Sequence, residues 1–288
     1  MRKLICKNPN CSSPEWEREV KKGRLPLYCP LCDKRKWPDD YLNKIICGDC
    51  ISVMNGMPDE SIDMIMCDLP YGVTSRNEWD VKIPCRKLWN QYNRIIKPNG
   101  VIALTATQPF ASELIDSNKD FFRYDLIWEK NKPTGFLNAK KMPLRSHESI
   151  LIFYKNPPVY NPHKTTGHKP VNSFTKNKSD GTNYGQTQLG IKGHNQTDRY
   201  PLSILKIPVV NNDAAEKIHP TQKPVALFDY LITTFTNEGA IVLDSCIGSG
   251  TTAIACKLSK RIFVGIDIDA EFCRKTQDRV SCISNPIF

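Results

Sequence analysis

The chain has 288 residues, 40% of them hydrophobic and 24% charged, with a formal net charge of +10. That length allows one large domain with a small appendage, and the apolar fraction supplies a substantial core. No apolar run could span a bilayer and no secretory signal opens the chain, so its twelve cysteines point to a reducing compartment rather than a disulfide framework.

Four of those cysteines open the sequence, as Cys6-x4-Cys11 and, seventeen residues on, Cys29-x2-Cys32. Pairs at this spacing suit tetrahedral Zn2+. The stretch between them, "SSPEWEREVKKGRLPLY", has too few apolar residues to build a core without a metal staple. We expect a zinc-binding module over residues 1–40, whose Lys21, Lys22, Arg24, Lys34, Arg35 and Lys36 could grip phosphates. The other eight cysteines lie in apolar runs and read as small core residues.

From residue 43 the texture changes. "KIICGDC" and "SIDMIMCD" are short apolar runs that each end in an acid, Asp49 and Asp68. Strands are expected at Asn99–Ala106, Arg123–Lys130 and Glu148–Lys155. Helices are expected around Pro84–Ile96 and from Pro109 to Ser117, the latter with Thr107 as N-cap. Such alternation implies a mostly parallel sheet covered on both faces. Residues 43–155 form the first half of this domain. From 156 to 215 the pattern stops, in a Gly-, Asn- and Lys-rich stretch that reads as an inserted recognition region. Between Lys130 and Arg199 twelve Lys and Arg face three acids, a local excess of +9 that favours a polyanionic partner.

Order returns over 216–288. "HPTQKP" precedes a helix whose apolar residues Val225, Phe228, Leu231, Ile232 and Phe235 share one face. A strand (Ala240–Asp244), the glycine turn "IGSGTT", a helix and the strand "RIFVGIDID" follow, with a last helix from Ala270 to Ser281. Gly248 and Gly250 let the backbone approach a ligand at a helix N-terminus, and Asp267 ends the next strand where nucleotide folds place a ribose-binding acid. "GSG" is not a dinucleotide fingerprint and no P-loop lysine follows, so a mononucleoside fits better.

Taken in order, "DLPY" (Asp68–Tyr71), "HPTQKP" (His219–Pro224) and "DSCIGSGT" (Asp244–Thr251) resemble the amino-methyltransferases that modify exocyclic amines in DNA. Because the tetrad precedes the cofactor glycines, the resemblance is to the beta-class, circularly permuted arrangement. It implies an α/β, Rossmann-like S-adenosylmethionine-dependent fold with a seven-stranded sheet, one strand antiparallel. It also implies double-stranded DNA as partner and the cytoplasm of a bacterial or phage-infected cell as setting. A homodimer and a cognate restriction endonuclease are compatible with it, and the sequence selects neither.

Carried onto this chain, the resemblance places S-adenosylmethionine against Asp244, Cys246, Gly248, Gly250 and Thr251, with Asp267 on its ribose and Asp49 near its adenine. Thr221 and Lys223 would lie near its methionine carboxylate. The target base is flipped out of the duplex. Tyr71 would stack on it, while Asp68 and the carbonyl of Leu69 accept from its amine and Pro70 fixes the loop. The usual tetrad is D-P-P-Y, so Leu69 is a departure, as is Ser245-Cys246 in place of a Pro-Phe pair. An aspartate at the head of the tetrad favours the N6 amine of adenine. The N4 amine of cytosine is the alternative, and a decayed zinc-containing DNA-binding protein a more distant one. Trp128 reads equally well as a second wall of the base pocket or as a core aromatic.

Overall fold

The computed structural model describes residues 35–72, 81–172, 193–211, 218 and 221–283, and the backbone alone of 2–5, 15–18, 173–174 and 192. In chain order the strands are β1 (Arg2–Ile5), β2 (Glu15–Arg18), β3 (Lys44–Cys47), β4 (Ile62–Cys67), β5 (Ile96–Ala106), β6 (Phe122–Thr134), β7 (Arg145–Phe153), β8 (Val171–Phe174), β9 (Lys192–Gln196), β10 (Ile204–Lys206), β11 (Ile241–Asp244) and β12 (Ile262–Asp267). The helices are α1 (Cys50–Met54), α2 (Cys85–Ile95), α3 (Phe110–Ser117), α4 (Val225–Phe235), α5 (Thr251–Leu258) and α6 (Ala270–Ser281). Two compact units result, Met1–Tyr160 with Ser203–Phe288, and Asn161–Leu202.

The first unit is organised by one eight-stranded sheet in the order β10-β6-β7-β5-β4-β11-β12-β3. Only β7 runs against its neighbours. The seven expected strands are all present, and β10 adds an eighth at the edge, where Leu205 is buried between two exposed neighbours. Its place is held partly by the indole of Trp128, which donates to the Ile207 carbonyl at 2.7 Å. Trp128 is therefore a core residue.

Strand alternation divides the core in two. Ile65 and Cys67 of β4, Ile102 and Leu104 of β5, and Leu151 and Phe153 of β7 pack with Leu88, Trp89 and Tyr92 of α2 and Phe110 and Leu114 of α3. The residues between them, Met64, Met66, Val101, Ala103, Ile150 and Ile152, meet Leu227, Phe228 and Leu231 of α4 and Ile254 of α5. Strands buried on both faces need apolar residues at every position, and this is why they read as continuous runs.

Two local expectations change. Helix α3 is preceded by Pro109, without a side-chain cap; the Thr107 hydroxyl is buried with no hydrogen-bond partner, although its carbonyl accepts from Ala111 N at 3.0 Å. Cys282 is exposed beyond the end of α6, unlike the buried Cys50, Cys67, Cys256 and Cys273. The second unit lies within the basic region and is not structureless. Its β8 and β9 pair antiparallel, and Thr165 bridges Arg199. Lys164 there bonds Asp198 at 2.7 Å and lies over the ring of Tyr200. No helix among the described residues is long and apolar enough to cross a membrane.

Candidate active site

The parallel strands deliver their carboxyl ends to one edge of the sheet, where α/β folds bind ligands. Register places Cys47 opposite Asp267, Cys67 opposite Leu104, and Asp244 opposite Gly265. Asp49, Asp68, Asp244 and Asp267, the four acids singled out in the sequence, therefore all sit at this edge. The antiparallel β7 begins there, so its first buried residues join them.

Asp68 is held by side chains from three places. The Tyr71 hydroxyl donates to its Oδ1 at 2.7 Å, and the Thr105 hydroxyl, from the end of β5, donates to the same oxygen. Its Oδ2 accepts from Lys223 Nζ at 2.6 Å, across 155 residues of chain. Tyr71 is partly buried rather than exposed, because its hydroxyl is tied to Asp68 and its ring packs on Phe110 at 5.5 Å between centroids. Burial, then the neighbouring Asp68 charge, push the Tyr71 phenol well above its ordinary range. The Lys223 ammonium lies 5.7 Å from the Tyr71 ring centroid.

Lys223 also faces Glu148, whose Oε2 is 3.3 Å from its Nζ, while Glu148 Oε1 accepts from Lys130 at 2.6 Å. The result is a chain of alternating charge, Lys130–Glu148–Lys223–Asp68, largely buried and partly exposed at its Asp68 end. Lysine burial opposes its charge, yet Asp68, Tyr71 and Glu148 together hold the Lys223 ammonium well above the usual lysine range. The sequence reading placed Lys223 against a cofactor carboxylate; here its partners are the tetrad acid and Glu148. Thr105, Lys130 and Glu148 were missed. The only local signal was a charged residue at the end of each of two apolar strands.

The glycine turn adjoins this cluster. Thr251, first residue of α5, donates its hydroxyl to the Lys223 carbonyl at 3.1 Å, and Cys67 Sγ lies 3.4 Å from Ser245 Oγ. Ser245 Oγ in turn meets the Tyr92 hydroxyl at 2.5 Å, so the residue in the usual proline place anchors the loop to α2. The tetrad and the glycines, 180 residues apart in sequence, are joined through Lys223 and Ser245.

Within the turn, Gly248 and Gly250 both take left-handed backbone, at φ 48° and 80°. Their surroundings differ. A Cβ on Gly250 would come within 2.6 Å of Thr276 Cγ2, so packing against α6 demands that glycine, whereas a Cβ on Gly248 would meet only the Cys246 carbonyl at 3.8 Å. The space at Gly248 is open to a ligand. Asp267 holds the turn by accepting from Gly248 N and Asp269 N, each at 2.9 Å. Asp49 caps α1, accepting from Ser52 N at 3.0 Å. Asp244 is buried and accepts from Cys246 N at 3.0 Å and from the Thr252 hydroxyl; burial pushes its carboxyl up to about 7. Leu69 is buried and Pro70 partly so, while Thr221 is exposed two residues before Lys223. His219, Pro220 and the zinc-type cysteines Cys6, Cys11, Cys29 and Cys32 lie outside the described residues.

Comparison with known proteins identifies the family and the fold. Residues 62–278 match the N6/N4 DNA methylase family. The Type II methyltransferase M.HpaI of Haemophilus parainfluenzae is 27% identical over 246 residues, covering 82% of this chain and 74% of its own. The Type II methyltransferase M2.MboI of Moraxella bovis is 27% identical over 266 residues, covering 84% and 88%. Among solved structures, M1.HpyAVI in complex with SAM superposes with a TM-score of 0.56 at 23% identity, over 82% of this chain and 98% of that one. The cytosine-N4-specific PvuII DNA methyltransferase superposes with a TM-score of 0.58 at 16% identity, over 85% and 87%. These likenesses identify the fold as that of the S-adenosylmethionine-dependent DNA methyltransferases. The match over three quarters of its length makes this chain a member of the N6/N4 DNA methylase family.

Proposed function

We propose that the chain transfers a methyl group from S-adenosylmethionine to the exocyclic N6 amine of adenine in double-stranded DNA. The observation that carries this reading is the joining of the Asp68–Tyr71 loop to the open glycine turn at Gly248 through Lys223 and Thr251. When bound, S-adenosylmethionine supplies an electrophilic sulfonium methyl. Gly248, Asp244, Cys246, Gly250 and Thr251 would hold its methionine half, with Asp267 and Asp49 on the nucleoside.

The protein's part is positioning. Asp68 and the Leu69 carbonyl accept the two N–H bonds of the target amine, which turns the nitrogen lone pair out of ring conjugation. Tyr71 gives the flipped base an aromatic face. As nitrogen gains its methyl group it must lose one proton, and Asp68 lies in place to take it. The basic second unit, with the Lys- and Arg-rich N-terminus, would contact phosphates.

The deciding experiment incubates the purified chain with labelled S-adenosylmethionine and mixed-sequence duplex DNA, then digests the DNA and separates the nucleosides. Label in N6-methyladenine supports the proposal. Label in N4-methylcytosine favours the second reading, in keeping with the fold shared with a cytosine-N4-specific enzyme. No label in DNA would defeat both. For the N-terminus we propose one structural Zn2+ on Cys6, Cys11, Cys29 and Cys32; metal analysis should find one zinc per chain, lost in Cys29→Ser, and a metal-free folded chain would end that proposal.

A further inference from the structure

Both oxygens of Asp68 are occupied. Oδ1 takes two hydroxyls and Oδ2 takes the Lys223 ammonium, which also lies over the Tyr71 ring. A target base needs the same oxygen and the same ring. The lysine thus stands where the amine must go, as a cationic N–H donor in place of a neutral one. Without it an empty site would leave the half-buried Asp68 with two hydroxyl donors and no counter-charge.

Its alternative berth is already built. Glu148 Oε2 is buried and accepts no hydrogen bond among the described residues, yet Lys223 Nζ lies 3.3 Å away. An unsatisfied buried carboxylate oxygen is costly, so it is a ready acceptor for a donor at that distance. Glu148 Oε1 is fixed by Lys130, whose side chain is almost fully buried. That clamp lets Glu148 receive a second cation without moving.

Resting on the reading of Asp68 as amine acceptor, we propose that Glu148 is a positioning residue that takes Lys223 off Asp68 when the target amine arrives and gives it back when the product leaves. No bond is made or broken in this exchange. One N–H donor replaces another on Asp68 Oδ2, and the ammonium completes its hydrogen bond to Glu148 Oε2. Charge inside the site stays balanced at both ends of the motion.

The test measures single-turnover methyl transfer to duplex DNA, and separately the affinity for S-adenosylmethionine. In Glu148→Gln the lysine keeps only Asp68, so transfer should slow by about 10- to 100-fold while cofactor affinity stays within about threefold. Lys223 faces Asp68, Tyr71 and position 148, with Lys130 behind. Losing one of those anions lowers the Lys223 pKa from its raised position. Glu148→Asp, which keeps the carboxylate, should recover part of the rate.

Lys223→Met removes the need for the berth, so Lys223→Met with Glu148→Gln should match Lys223→Met alone. That comparison also decides the matter if Glu148→Gln alone fails to fold. Overturning results are a Glu148→Gln rate within about twofold of wild type, or a double variant that loses the product of the two single effects. A wild-type chain that labels no DNA defeats the catalytic reading itself, whereas an active wild type indifferent to Glu148 defeats only this inference.

Discussion

At the tetrad, Asp68 is held by side chains from Tyr71, Thr105 and Lys223, the last 155 residues away. At the glycine turn, Asp244 accepts from Cys246 N and the Thr252 hydroxyl, and Asp267 accepts from Gly248 N and Asp269 N. The first site is a set of largely buried charges that depends on distant elements arriving together. The second is a shaped loop in which short-range bonds such as Cys246 N to Asp244 are joined by bonds from β12 and α6 to the turn's backbone. Side-chain charge can move by a rotamer change, as the proposed exchange at Lys223 requires, whereas the turn is set by backbone conformation at Gly248 and Gly250. On the proposed reading the two sites divide the work accordingly, one adapting to an incoming base and the other presenting a cradle for the cofactor.

Substitutions can break this contrast, beginning where the effect is greatest. Asp68→Ala removes the acceptor and leaves Lys223 with only Glu148. Methyl transfer should fall by about a thousandfold or more while cofactor affinity, measured by calorimetry, holds. A transfer rate within tenfold of wild type would mean that Asp68 is not the acceptor.

The buried Asp244 provides the next largest effect. Its carboxyl is raised from 3.8 to about 7, so the folded state retains a proton that the unfolded chain has already lost. Stability is therefore unpenalised below the unfolded value and falls as pH rises toward 7, by up to about 4 kcal/mol for a shift of roughly three units. In Asp244→Asn this decline should flatten, read as Tm against pH from about 4 to 8. An unchanged slope would show that the carboxyl ionises normally.

Gly250→Ala meets Thr276 Cγ2 at 2.6 Å with φ at 80° and should cost about 2–3 kcal/mol by denaturant melt. Gly248→Ala has room, so its stability cost should be nearer 1 kcal/mol. Cofactor affinity should fall at least tenfold there, because the methyl occupies the ligand's space. Equal stability losses at the two positions would erase the distinction drawn between a packing glycine and a ligand glycine.

The difference between the two sites also governs what could be read in advance. The glycine turn was legible because its shape is local: Asp244 to Cys246, Asp267 to Asp269 and the left-handed glycines are consequences of residues a few positions apart, although the bond from Gly248 to Asp267 spans 19 residues. Helix α6 was expected from Ala270 to Ser281 and occurs there, with Asp269 accepting from Glu271 N and Phe272 N at its start. Lys223 was expected beside a cofactor carboxylate; its contacts with Asp68 and Glu148 could not be foreseen, because nothing in "HPTQKP" reveals that β7 delivers Glu148 to the same place. Thr107 looked like a cap because hydroxyls usually cap, yet Pro109 took that position.

By itself, then, the sequence determined the order of elements, the two-sided burial of the strands and the loops that carry the tetrad and the glycines. These follow from residue periodicity and local backbone preference. Only the tertiary structure decided that Trp128 is core, that β10 closes the sheet edge, and that Lys130, Glu148, Lys223 and Asp68 form one largely buried chain of charge. Such pairs depend on which strand lies beside which and in what direction. Long-range contacts of that kind are fixed by the packing of the whole sheet rather than by any segment of it.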